Sequence, residues 1–221
     1  MHIYKLDDIE YPSVTTVLSI VTKDDALMKW ANHMGFRHKD IEDIKKEVTT
    51  FGTLVHSHLQ QEVDSNFFDA IPYKDTLEQY EVEGIVSKFK AYFKDIPYHT
   101  IATEKTIISK ELGYAGTLDW LADMSQHIFL NDFKTSKKPH ETMFLQLGGY
   151  SNLLKTIGIE PDYASIITAN SKGVCMYPID KQQLQYYGSI FNLLYSFYKE
   201  FMMRMKITPD YNIMKLIKTS C

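Results

Sequence analysis

Apolar positions recur at helical spacing through much of the first half of the chain and in short, strand-like runs through the second. Over residues 75–94, Leu77, Tyr80, Ile85, Phe89 and Phe93 fall at helical spacing and predict a helix that turns this stripe to a core. Residues 39–64 follow a helical pattern too, broken near Thr49-Thr50-Phe51-Gly52. Upstream, Ser13 or Thr15 caps a short helix, and Asp24-Asp25 caps another that carries Leu27, Met28 and Trp30. Strands are expected near 98–108, 113–123, 127–134, 163–169 and 174–178, with helices over 142–156 and 181–203. The pattern predicts an α/β fold: a central mixed sheet flanked by helices, with a helical N-terminal elaboration. One domain spans 1–221, divided into a helical part (about 1–97), a core (about 98–203) and a tail (204–221). No repeat, linker or low-complexity stretch interrupts it.

Chemistry concentrates where residues 112–123 and 126–135 form a predicted hairpin turning at Met124-Ser125-Gln126, which sets Asp119 beside Asp132. Strand alternation points Asp132 and Lys134 the same way and Phe133 into the opposite layer. An Asp-x-Lys triplet means little alone; Asp43-Ile44-Lys45 is a second copy, in a charged helical segment where positions two apart do not face each other. What distinguishes Asp132 is the apolar run Ile128-Phe129-Leu130 before it, which leads the carboxylate to the end of a buried strand. A carboxylate there is costly without a cation.

Composition narrows the classes. With 44% apolar residues among 221, the chain can bury one substantial core. The 24 basic and 28 acidic residues leave a formal charge of −4, so any nucleic-acid contact must be a local groove. Only Arg37 and Arg204 are arginines, which leaves phosphate contacts mostly to lysine. Two cysteines, Cys175 and Cys221, cannot build a four-thiolate iron–sulfur site or a disulfide scaffold, and Cys175 reads as a small buried side chain. No targeting segment opens the chain and no apolar run approaches the ~20 residues of a membrane span, so a cytoplasmic, reducing location is expected, without membrane association.

Other residues stand between a structural and a chemical reading. His56, among Leu54, Val55 and Leu59, is ordinarily a hydrogen-bonded core histidine, while His58 faces elsewhere on the same helix. In residues 100–108, alternation puts Ala102, Glu104 and Thr106 on one face, where Glu104 would ordinarily pair with a neighbouring lysine. Gln146 and Tyr150, four apart, share a helix face. Gly148-Gly149 between them is unfavourable in a helix interior, and close approach by a strand or by DNA would explain it. Asp123 is assigned to the turn; Lys137, Lys138, Lys206, Lys215 and Lys218 read as solvated charge.

Taken in order, Phe51-Gly52-Thr53-Leu54-Val55-His56, Glu104, Gly116-Thr117-Leu118-Asp119, Asp132-Phe133-Lys134 and Gln146-Leu147-Gly148-Gly149-Tyr150 resemble the PD-(D/E)XK nucleases, and more narrowly their RecB-type exonuclease branch. The opening Tyr11-Pro12-Ser13-Val14-Thr15-Thr16-Val17-Leu18 also resembles the mitochondrial genome maintenance exonuclease group and its phage relatives. The resemblance runs over roughly residues 11–200 and implies a restriction-endonuclease-like core. It implies metal-dependent hydrolysis of DNA, with a preference for free single-stranded ends, in replication, recombination or repair, in a bacterial or phage-infected cell. Asp119 and Asp132 would hold one or two Mg²⁺ or Mn²⁺ ions, His56 and the Phe133 backbone carbonyl would complete one site, and Glu104 would support the second or a bound water. Imidazole suits Mn²⁺ better than Mg²⁺. Lys134 would orient water and neutralise developing charge, and Gln146 and Tyr150 would hold a phosphate. Cas4-type relatives carry a cysteine-ligated cluster for which this chain lacks the ligands. An endonuclease of the same fold and a catalytically silent DNA-binding or inhibitory protein are the other classes considered; oligomeric state and protein partners are not legible.

Overall fold

The computed structural model describes residues 3–21, 41–66 and 69–206. The expected helix carrying Leu27, Met28 and Trp30, and residues 207–221 of the expected tail, lie outside them. The first element was not anticipated: β1 (Ile3–Leu6) and β2 (Ile9–Pro12) form an antiparallel hairpin. Its turn residues Asp7 and Asp8 have φ of 49° and 61°, the left-handed pair of a tight hairpin turn, which aspartate tolerates better than most residues. Helix α1 (Val14–Leu18) follows, and of the two expected caps Ser13 is the one used: its hydroxyl accepts from Thr16 N–H at 2.9 Å.

Helix α2 (Ile41–Val63) runs without the break expected near Gly52. The Thr53 hydroxyl donates to the Thr49 carbonyl one turn back at 3.0 Å, so it folds onto the helix rather than competing with it. Helix α3 (Thr76–Phe93) begins at Asp75, whose carboxylate accepts from Glu78 N–H at 2.8 Å. Its core face is Val82, Ile85, Phe89 and Phe93; Leu77 and Tyr80, expected on that stripe, are 70% and 78% exposed. At about 3.6 residues per turn, Tyr80 points away from the face that Val82, Ile85, Phe89 and Phe93 share, and Leu77 lies well off its edge.

Strands β3 (His99–Ser109), β4 (Tyr114–Met124), β5 (His127–Lys134), β6 (Tyr163–Asn170) and β7 (Gly173–Asp180) form one sheet in that order. β5 and β6 are parallel and the other pairs antiparallel, the mixed α/β sheet expected. The β4–β5 turn is tight, with Ser125 and Gln126 at φ 55° and 67°, and Asp123, at the strand end, caps it by accepting from Gln126 N–H at 2.8 Å. Helix α4 (Glu141–Lys155) makes the crossover between the parallel strands, and α5 (Lys181–Lys206) closes the fold.

Helices cover both faces of the sheet. On one side α1, α4 and α5 pack Val14, Val17, Leu147, Leu153 and Phe191 against Leu118, Leu121 and Leu130. On the other, α2 and α3 pack Leu54, Leu59, Ile85 and Phe89 against Trp120, Phe133 and Ile167. Gly148-Gly149 is explained by neither strand nor DNA. A Cβ on Gly148 would lie 2.5 Å from backbone atoms of Tyr187 and Gly188, and one on Gly149 would lie 2.9 Å from Val14. The glycines let α5 and α1 seat on α4. Cys175, expected to be buried, is exposed on β7, the last strand of the sheet. Among the described residues, no helix is long and apolar enough to cross a membrane.

Candidate active site

The β4–β5 pairing ends at Trp120↔Asn131. One step further, the same register would oppose Asp119 to Asp132; instead Asp119 Oδ2 accepts the Phe133 backbone N–H at 2.8 Å. The hairpin pattern places the two carboxylates side by side as a cross-strand pair; they instead interact across this opening at the carboxyl end of β5. Asp132 is 1% exposed as a side chain, and Lys134 on the same strand face forms an ion pair with its Oδ2. Asp132 Oδ1 accepts from Gln146 Nε2 at 2.9 Å, and the same nitrogen donates to the Tyr150 hydroxyl at 2.9 Å. Gly116 is what admits Tyr150, since a Cβ there would lie 2.6 Å from its ring. Phe133 turns the other way, between Trp120 and Phe89.

Helix α2 closes the opposite side. His56 Nδ1 lies 3.5 Å from Asp119 Oδ2. The Phe133 backbone favours the protonated imidazole. Burial first, and then Lys134, nevertheless hold His56 below the ordinary histidine range, which keeps it neutral and able to ligate. His58 makes its own contacts, stacking on Tyr73 at 4.5 Å with Nε2 at 2.9 Å from the Ile71 carbonyl. Its expected role as a position turned away from the site agrees with this geometry.

Burial, and then Asp132, push the Asp119 carboxyl well above the carboxylate range, against the pull of Lys134 and the Phe133 N–H. Burial lowers Lys134, but Asp132 and Asp119 outweigh it and the ammonium is held above the ordinary lysine range. Burial and the two aspartates also keep the Tyr150 hydroxyl protonated, its pKa well above that of a free phenol.

Glu104 reaches the site by a route that alternation did not foresee. The β3–β4 register slips between Thr100 and Ala102, and Glu104 has φ 45°. Ala102 consequently packs with the same cluster as Ile107, a position of opposite parity. The Glu104 carboxylate accepts from Gln60 on α2 rather than pairing with a lysine. Gln60 was missed, although it stands one turn beyond His56 and so on the same helix face. Tyr4 of the hairpin was missed as well: its hydroxyl lies 2.8 Å from Thr117 Oγ1 of the Gly-Thr-x-Asp strand. A cavity of about 530 Å³ opens beside this centre, lined by Gly52, His56, Gln60, Glu104 and Thr135.

Among the described residues, no three His, Cys, Asp or Glu side chains converge closely enough to enclose a metal ion. Asp119 Oδ2 is engaged by the Phe133 amide, and Lys134 supplies the charge beside Asp132. The residues nevertheless fit a hard divalent cation. Lys134 is paired with the buried Asp132 Oδ2 and also faces Asp119, with Glu104 nearby, more negative charge than one ammonium balances. Two carboxylates, a neutral imidazole and a backbone carbonyl are the donor types that Mg²⁺ and Mn²⁺ accept.

No protein-family profile and no curated protein matches the chain. Among solved structures, it is similar to LHK-Exo in complex with dAMP, at 12% identity and TM-score 0.41, over 93% of this chain and 94% of that one. It is also similar to the alkaline exonuclease LHK-Exo from Laribacter hongkongensis, at 10% identity and TM-score 0.39, over 88% and 94%. A third similarity is to SSO0001, at 12% identity and TM-score 0.30, over 65% and 72%.

Proposed function

We propose that this chain is a divalent-metal-dependent deoxyribonuclease of the PD-(D/E)XK type, a single nuclease domain acting as an exonuclease on single-stranded DNA ends. The observation that carries this reading is the convergence of Asp119, Asp132, Lys134 and His56, from two strands and a helix, around one buried, cation-poor carboxylate pair. Asp119, Asp132, His56 and the Phe133 carbonyl are the residues that would hold Mg²⁺ or Mn²⁺, with Glu104 beside them. When bound, such an ion supplies Lewis-acid polarisation of a phosphoryl oxygen and stabilises charge on the departing oxygen.

The protein's own groups do the rest. Lys134, a cation without metal affinity, orients the attacking water and offsets charge that develops on the phosphoryl oxygens. Asp132 keeps its ammonium charged. The Tyr150 hydroxyl, kept protonated, is the donor for a phosphate beside Asp132, without reading sequence; Gln146, whose two amide protons go to Asp132 and Tyr150, fixes its position. Glu104, tied to Gln60, sets the acidic wall of the cavity on the α2 side.

The test is one gel of single-stranded and duplex DNA labelled at the 5′ or the 3′ end, with and without Mn²⁺. Ladders growing from one end, in Mn²⁺ only, are expected. Discrete internal products would make the protein an endonuclease, and absence of products at every metal concentration would make it a binder.

A further inference from the structure

A second cavity of about 600 Å³ lies between α2 and α3, immediately off the carboxyl ends of the parallel strands β5 and β6. It adjoins the first: Val48 and Thr135 line both, and Thr135 directly follows Lys134. Its walls carry two aromatic rings from facing helices, Phe51 of α2 and Tyr80 of α3. On α3, Tyr80, Gly84 and Lys88 are spaced four apart and share the face that looks into it. Gly84 is the unexplained residue. A glycine in a helix interior costs roughly 1 kcal/mol relative to alanine, and Gly148 justifies that cost by a backbone contact. A Cβ on Gly84 meets no atom of the described residues within 4 Å. Among the described residues, glycine here keeps space open rather than letting another element in.

We propose that this cavity is a nucleobase subsite, holding the base of the nucleotide next to the scissile phosphate; the proposal rests on the nuclease reading above. Aromatic faces stack on any base, and an exposed tyrosine with a glycine one turn away provides a face and the room to lie against it. The lining charges argue for a base rather than a phosphate. Glu47 and Glu81 outnumber Lys88 there, so a phosphate would be repelled, whereas amino edges of bases find acceptors. The backbone of the strand would run past Thr135 to Lys134 and Gln146.

The experiment uses short single-stranded oligonucleotides carrying 2-aminopurine at successive positions, bound in EDTA so that nothing is cut, with total binding followed by anisotropy. Wild type should quench 2-aminopurine strongly at one position. Tyr80→Ala should lose that quench and bind roughly tenfold more weakly, while Tyr80→Phe should keep it. Gly84→Leu separates the subsite from the fold: it should melt no lower than wild type and still lose the quench. Equal quenching at every position, or a Gly84→Leu variant that binds and quenches as wild type does, would overturn the subsite. If wild type cleaves in Mn²⁺ yet shows no position-dependent quench, the subsite fails and the nuclease reading stands. If it quenches at one position but never cleaves, the reverse holds.

Discussion

The Asp132–Lys134 pair makes stability and chemistry hard to separate. Lys134 is read as a chemical group, yet its ammonium faces a carboxylate that is 1% exposed. Removing one partner of a buried pair typically costs about 3–5 kcal/mol, so Lys134→Ala should lose cleavage and also a large part of its stability in urea melts. Asp132→Asn/Lys134→Ala should recover stability relative to the single variant and remain inactive; a double variant less stable than the single one would show that the pair is not what the lysine serves. Tyr114 gives a pH signature away from the site. Its buried hydroxyl has no aligned partner and, although the Asn152 amide offsets part of the effect, burial pushes it up to about 12. A folded pKa above the unfolded value of about 10 contributes stability that is intact below pH ~10 and is lost as pH rises towards ~12, worth up to roughly 2–3 kcal/mol. Wild type should therefore melt progressively earlier than Tyr114→Phe across that window, with the gap smallest near neutrality; a gap independent of pH would mean that the phenol ionises as freely folded as unfolded.

Helices deliver groups according to which face packs. His56 and His58 lie two apart on α2, one meeting Asp119 and Phe133, the other Tyr73. His56→Ala should depress activity at least tenfold and raise the Mn²⁺ concentration needed, while His58→Ala changes turnover little; equal effects would reduce α2 to a packing element. The crossing of α4 and α5 is set by Gly148, where an added methyl meets backbone at 2.5 Å and cannot be relieved by a rotamer change. Gly148→Ala should cost about 2–3 kcal/mol or more, whereas Gly84→Ala, with open space, should gain up to ~1 kcal/mol from helix propensity. Thermal melts of the two variants would rank them, and the opposite order would refute the crossing as the reason for the glycine. Element boundaries came largely from caps and turns that sequence displays: Ser13, Asp75 and the Ser125-Gln126 turn. The N-terminal hairpin escaped because its strands are four residues each, too short for a period to register beside a helical segment.

For the molecule as a whole, the site lies where β4 and β5 part, walled by α2 on one side and bordered by the hairpin strand that carries Tyr4. A net charge of −4 offers little general affinity for phosphate. On the exonuclease reading, linear single strands should be degraded much faster than an equal mass of closed circular single strands, and the salt dependence should be shallow because few phosphates are neutralised. Circles cut as fast as linear molecules would end the exonuclease reading, while metal-dependent hydrolysis could survive. What the sequence determined by itself is local: the sheet strands and helices, the β4–β5 hairpin that leads Asp119 and Asp132 to the same end of the sheet, and the shared strand face of Asp132 and Lys134 follow from side-chain period, turn residues and hydrophobic runs. Tertiary structure alone decided the long-range matters, because they depend on which surfaces meet. It placed Glu104 through a register slip and a left-handed φ, and gave its carboxylate Gln60 rather than lysine. It also made Gly148 a helix contact while leaving Gly84 with no neighbour among the described residues. Period and propensity carry no information about the neighbour that a face will find.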